Sequence, residues 1–194
     1  MHEEEIIKKL IEGDNGAFRE VVESYQPMVY NTCMGFVHDA MIADDLSQDV
    51  FIEMYESISK FRGQSKLSTW LYRISVNKSL NYLRSQKKHS VLHRIDKFFS
   101  SKEEKPKERI PDEKTSTPID IMEQEETSRA VHNAIDAMPE NQRIAFVLHK
   151  FDDLSYKEIA TIMDISLSAV ESLIHRGKKN LQKSLLKTYQ NLNS

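Results

Sequence analysis

Residues 155–179 read SYKEIATIMDISLSAVESLIHRGKK, and their spacing predicts two short helices meeting at a turn. Ser155-Tyr156-Lys157-Glu158 has the form of a capping box. In that motif the Ser155 hydroxyl serves the orphan N–H groups of the first turn while Glu158 reaches back to the cap. Ile159, Ala160 and Met163 continue as an apolar face, with a small residue at Ala160 where a second helix crossing at about 90–120° comes very close. Ile165, Val170 and Leu173 supply the other side of that contact. Asp164 stands at the turn, where Gly is commonest and Asp adopts the left-handed conformation at modest cost. The unit reads as a helix-turn-helix.

Its second helix, from about Leu167 to Leu181, leaves Ser168, Glu171, Ser172, His175, Arg176 and Lys179 off the apolar seam. Ser and Arg can read base edges in a major groove, Glu can accept from cytosine, and Lys178, Lys179 and Lys183 suit phosphates. Helix pairs with a small crossing residue also occur as plain structure, so spacing leaves duplex binding and a structural role both open. Ser168-x-x-Glu171 has capping-box spacing too, so Glu171 either ties the helix start or touches a base.

Outward from this unit, apolar spacing is helical wherever it is clear, and no stretch reads as a strand. Ile6, Ile7, Leu10 and Ile11 mark one helix, and Phe18, Val21, Val22 and Tyr25 a second. Pro27 suits the first turn of a third, running to about Val37. A fourth runs from about Met41 to Ser59 with Ile42, Leu46, Val50, Met54 and Ile58 inward. Phe61-Arg62-Gly63-Gln64-Ser65 breaks the pattern before a fifth helix from about Ser68 to Lys88. Residues 96–127 change to Lys, Glu, Ser, Thr and three prolines, with too few apolar side chains to offset the entropy of ordering. Val131, Ile135 and Met138 then resume helical spacing, and Ile144 to Phe151 forms another short helix. The expectation is an all-α chain of two small helical domains, 1–95 and 128–194, joined by a flexible linker at 96–127.

A net charge of −3 conceals strong segregation. Residues 1–56 hold three Lys/Arg against thirteen Asp/Glu, whereas residues 57–95 hold nine Lys/Arg and no acid, which points to one polyanionic partner and one of another kind. Measured from Arg73 at 100° per residue, Asn77, Asn81, Arg84 and Lys88 fall at about 40°, 80°, 20° and 60°, a narrow polar stripe with Trp70 beside it. Amides pair with base edges while rings stack on bases, so the stripe fits strand binding; its bland alternative is a solvated helix face. The loop at Phe61 could hold an unstacked base, or Phe61 could belong to the core. Asp44-Asp45-Leu46-Ser47-Gln48-Asp49 is an acidic face that DNA would repel, left to a protein partner or to solvent.

Other function classes find little support. Cys33 is the single cysteine and falls among Met28, Val29, Phe36 and Val37, which favours a packed thiol over a reactive one. Asp45 and Asp49 have no His or further acid at ligand spacing, so no metal or other cofactor is expected. No nucleophile or phosphate loop suggests an enzyme or a small-molecule substrate. No apolar run approaches the roughly 18–20 residues of a membrane span, and Met1 to Glu12 opens on acids, so the expected location is the cytoplasm.

Three motifs, in this order, resemble those of bacterial sigma factors of the extracytoplasmic-function class. DDLSQDVF at Asp44 to Phe51 is similar to that family's polymerase-binding segment, and FRGQSKLSTWLYRISVN at Phe61 to Asn77 to its promoter-melting segment. MPENQRIAFVLHKFDDLSYKEIATIMDISLSAVESLIHRGKKNL at Met138 to Leu181 resembles its promoter-reading domain. The resemblance implies a non-catalytic subunit that lends promoter specificity to core RNA polymerase. Asp45, Gln48 and Asp49 would dock on the clamp helices of the largest polymerase subunit. Phe61, Ile74 and Asn77 would line a pocket for a flipped non-template base of the minus-10 element, with Arg73, Asn81, Arg84 and Lys88 along the strand. The C-terminal domain would sit on the polymerase flap and read the minus-35 duplex through Ser168, Glu171, Ser172, His175, Arg176 and Lys179. Glu171 and Leu173 depart from the family pattern, which more often has basic residues there. The family is usually restrained by an anti-sigma factor. The rival expectations are a stand-alone helix-turn-helix regulator and a protein-interaction module.

Overall fold

A computed structural model describes residues 3–61, 63–99 and 118–192. Its helices are α1 (Glu3–Ile11), α2 (Asn15–Val37), α3 (Ala40–Ser57), α4 (Leu67–Phe99), α5 (Pro118–Asp136), α6 (Glu140–Lys150), α7 (Tyr156–Met163) and α8 (Leu167–Leu192). A 3₁₀ turn, Ile58–Lys60, follows α3, and the described residues contain no strand.

Local chemistry places most of the boundaries. Acids open α1 and Lys8 and Lys9 close it, in the sense that the helix dipole favours. Asp14 caps α2 by accepting from the N–H groups of Gly16 and Ala17, and Asp39 does the same for α3 through Met41 and Ile42. Glu3 accepts from the N–H of Leu67 at 2.5 Å, so α1 caps the start of α4.

Two expectations are corrected. Pro27 does not open a new helix, because α2 runs through it to Val37. A mid-helix proline costs about 3 kcal/mol, but Ala17 and Val21 before it and Val29, Cys33 and Phe36 after it are all buried, so packing carries the helix across. The basic helix also continues past Lys88 to Phe99. Of the expected linker at 96–127, residues 100–117 lie outside the described residues, while 96–99 and 118–127 lie in α4 and α5.

Helices α1 to α4 enclose a core of Leu10, Val21, Val29, Leu46, Val50, Met54, Leu67 and Leu71. Cys33 is fully buried there and its thiol is pushed up to about 11 by burial, in keeping with the packed reading. A second core is shared between the halves. Phe36, Tyr72, Val76 and Leu80 of the N-terminal half join Ile135, Met138, Phe146, Leu148, Ile159, Val170 and Ile174. Helices α6 and α7 thereby lie against α2 and α4.

Candidate nucleic-acid interface

The helix-turn-helix forms as its residues require. Ser155 Oγ accepts from the N–H of Glu158, whose Oε2 in turn accepts from the Ser155 N–H at 2.9 Å, completing the capping box. The hydroxyl and the N–H of Ser155 both stabilise the ionised carboxylate and hold Glu158 below its ordinary range. Asp164 takes the left-handed conformation, with φ 54° and ψ 47°, and its N–H closes α7 on the Ala160 carbonyl. Ile159, Ile162, Val170 and Ile174 bury the angle between α7 and α8.

Helix α8 begins at Leu167, two residues earlier than a Ser168 cap requires. Ser166 Oγ accepts from the N–H of Ala169 at 3.2 Å, and Ser168 is already helical. The capping-box reading of Ser168 and Glu171 is therefore overturned, because the first turn is served by the preceding serine. Glu171 stands exposed, in one tract with exposed Ser168, Ser172, His175, Arg176 and Lys179. The Arg176 guanidinium lies along the helix, its Nε donating to Ser172 O at 3.2 Å.

On α4 the stripe is divided between core, solvent and the C-terminal half. Phe61 is half-buried and tilted against Trp70, ring centroids 4.9 Å apart. Ile74 is 5% exposed and belongs to the N-terminal core, since its position on α4 faces α2 and α3. Asn77, Asn81, Arg84 and Lys88 are exposed. Arg73, however, donates from Nε to the carbonyl of Ile162 at 2.9 Å and from Nη2 to that of Thr161 at 2.7 Å. Arg84 grips both carboxylate oxygens of Glu140, at 2.6 and 3.2 Å, and donates to Asn81 Oδ1 at 3.1 Å. Arg73 and Asn77 share a cleft of about 280 Å³ with Asn141, Ile144, Ile162 and Met163. No spacing rule forecasts the contacts to Thr161, Ile162 and Glu140, because each of these partners lies more than 50 residues away in sequence.

The acidic face of α3 is open. Asp44, Asp45, Gln48 and Asp49 are exposed, with Gln48 donating to Asp44 at 3.1 Å. Sequence reading missed its apolar part: Met41 is 78% and Ile52 54% exposed. The signal was available, since Met41 and Asp45 stand at i, i+4, and Gln48 and Asp49 precede Ile52 by four and three. Among the described residues no group of three or more His, Cys, Asp or Glu could hold a metal, and no helix is long and apolar enough to cross a membrane.

The two halves also meet around Arg143, which is 4% exposed on α6. Its Nη2 donates to the Phe36 carbonyl at the end of α2 at 2.5 Å and pairs with Asp136 at 2.6 Å. His38, in the left-handed conformation that ends α2, stacks on His132 of α5 at 4.0 Å.

Comparison with known proteins matches residues 21–89 to the family model described as Sigma-70 region 2 and residues 128–181 to Sigma-70, region 4. The chain is 33% identical to the RNA polymerase sigma-H factor of Pseudomonas aeruginosa over 187 residues, covering 94% of this chain and 93% of that one. It is 33% identical to the ECF RNA polymerase sigma-E factor of Escherichia coli over 174 residues, covering 90% and 89%. Among solved structures, CnrH in complex with the cytosolic domain of CnrY superimposes with TM-score 0.65 at 19% identity, over 96% of this chain and 97% of that one. The sigma factor RpoE of Bartonella quintana, in complex with the anti-sigma factor NepR, gives 0.55 at 21% identity over 88% and 96%.

Proposed function

The chain belongs to the extracytoplasmic-function branch of the sigma-70 family, and from that premise we propose how its surfaces divide the work of directing core RNA polymerase to promoters. The observation that carries the reading is the presence of both region 2 and region 4, in order, in a chain that spans nearly the whole length of its sigma-factor relatives. A stand-alone helix-turn-helix regulator would use residues 128–181 and leave the region 2 match at 21–89 without a task.

In this proposal the N-terminal domain, up to about residue 95, binds polymerase and opens the minus-10 element. Asp45, Gln48 and Asp49 dock on the clamp helices of the largest subunit, with Met41 and Ile52 supplying apolar contact beside the charges. Phe61 and Asn77 receive a flipped base above Ile74, while Arg73, Asn81, Arg84 and Lys88 follow the strand. The domain from about residue 128 sits on the flap and places α8 in the minus-35 major groove, where Ser168, Glu171, Ser172, His175, Arg176 and Lys179 face the duplex. Residues 96–127 connect them.

Such a factor performs no catalysis itself and works where the polymerase is, in the cytoplasm. An anti-sigma factor is the natural restraint, and the Bartonella factor forms a complex with one, NepR. The test is reconstitution: the purified chain is mixed with core polymerase and a promoter library. The expected result is co-purification with core and transcripts starting downstream of a shared two-part element. Tight operator binding without polymerase, and no transcripts with it, would reject the proposal.

A further inference from the structure

Three side chains assigned above to the opened strand are not free to receive it. Arg73 is committed to the last carbonyls of α7, where the negative end of a helix dipole favours a guanidinium, and Arg84 to Glu140, which also involves Asn81. The exposed face of α8 takes no part in these contacts. The arrangement therefore engages Arg73, Asn81 and Arg84 of the strand-binding groups, leaving Asn77 and Lys88 exposed, and leaves the duplex-binding groups open.

The same interface holds a carboxyl in a setting unsuited to its charge. Asp152, in the loop between α6 and α7, reaches α2, where its Oδ1 lies 3.0 Å from Thr32 Oγ1. Thr32 Oγ1 also lies 2.9 Å from the Met28 carbonyl, which can only accept. A hydroxyl has one hydrogen, so an ionised Asp152 leaves one of these two contacts without a proton, whereas a protonated Asp152 donates to Thr32 and satisfies both. Oδ2 is buried without a hydrogen-bond partner. Among the described residues the ionisable groups acting on the carboxyl are Asp153 on its own loop, the Cys33 thiol on α2 and the Tyr72 hydroxyl on α4, and none of these is a cation.

We propose that the unbound chain closes on itself, its C-terminal half occupying the strand-capturing side chains of α4, and that Asp152 seats in this closed form as the neutral acid, so that closure takes up a proton. The masking rests on the strand-capture reading of α4, whereas the closure and its proton do not. Burial raises Asp152 to about 7, with Thr32 working against the rise and Asp153 adding to it. In an opened form the carboxyl returns toward its ordinary value near 4. Closure is then most favoured below that value, weakens about tenfold per pH unit as pH rises toward 7, and is level above it. His132 opposes this at the acid end. Burial and then neighbouring His38 hold it low, while Asp136 raises it, so its protonation below about pH 6.5 disfavours closure. Cys33 and Tyr72 are both held high and do not titrate in this range. Arg143 and Asp136 keep their charges across it. The window that isolates Asp152 lies at about pH 6.5–7.5.

The test places a dye pair on cysteines introduced at exposed Glu12 and Gln182 of the full chain and reads energy transfer across that window. The parent is expected to be mostly closed, so the slope is read in Gly35→Ala, which wedges α2 from α6. Glu140→Gln serves as a second loosening variant should that one fold poorly by circular dichroism. Closure in the loosened variant should fall several-fold from about pH 6.5 to 7.5, and Asp152→Asn, whose amide donates to Thr32 as the acid would, should raise transfer and abolish the slope. A slope unchanged by Asp152→Asn, or equal transfer in the parent and both loosened variants, would overturn the proposal. A fluorescent random-sequence single-stranded oligonucleotide supplies the second reading. It should bind several-fold tighter to Gly35→Ala than to the parent, and weaker to Asp152→Asn. If transfer responds as stated while oligonucleotide affinity is the same in all forms, the strand-capture assignment of α4 falls and closure stands.

Discussion

Gly35 and Val147 face each other so closely that a Cβ on Gly35 would stand 2.8 Å from Val147 Cγ1, closer than real side chains approach. Phe151 stands within 3.2 Å of the same point. Helices α2 and α6 thus meet where a glycine is needed for its lack of volume. Val147 is fully buried and β-branched, so it has little room to yield.

Gly35→Ala should therefore destabilise the chain even though alanine is the better helix former. Overpacking of this kind costs about 1–3 kcal/mol, against about 1 kcal/mol returned by helix propensity. A net loss of about 1 kcal/mol is expected in urea unfolding followed by circular dichroism. A gain in midpoint would mean that α2 and α6 part without strain.

Ser155→Ala should remove the hydroxyl's half of the capping box, leave the backbone N–H bond to Glu158 in place, and cost about 1 kcal/mol. Glu158 has its pKa lowered through Ser155, so the carboxylate contribution is present above the unfolded value and lost as pH falls through the folded one. The gap in unfolding midpoint between variant and parent should narrow on acidification from about pH 6 to below about pH 4. A gap that widens instead would rule out the carboxylate as its source.

Reversing the charge of α3 by Asp45→Lys with Asp49→Lys should leave the fold intact, because both side chains are exposed and neither makes a described bond to another helix. Affinity for core polymerase should fall at least tenfold in a fluorescence titration, with a stronger salt dependence lost alongside. Met41→Ser should weaken the same titration without changing its salt slope. Unaltered affinity in both variants would move the docking surface elsewhere.

Arg176→Ala on exposed α8 should weaken minus-35 duplex binding by about 1–3 kcal/mol if it reads a base, and should relax selectivity at one position. A loss that is uniform across sequences and flattens the salt dependence would reassign Arg176 to a phosphate. The comparison is made with holoenzyme on a set of minus-35 variants.

Local patterns alone determined that the chain is helical, where α7 is capped, that Asp164 turns left-handed, and which face of α8 reaches outward. These are decided by neighbours within about four residues, which is the range over which capping, turn chemistry and helical periodicity act. The acid-free composition of residues 57–95 and the acidic face of α3 were equally legible, since exposed charge is unconstrained by packing. Pro27 was not, because its passage through α2 depends on burial supplied by other helices. Nor was the start of α8, where Ser166 and Ser168 offer the same hydroxyl and only the path of the turn selects the first. Tertiary structure alone decided what the basic stripe meets. Periodicity can put Arg73 and Arg84 on one face, but the carbonyls of Thr161 and Ile162 and the carboxylate of Glu140 arrive from the far half of the chain. They are brought there by the apolar core that Phe36, Tyr72, Val76 and Leu80 share with the C-terminal helices, and burial of that kind has no signature in local sequence spacing.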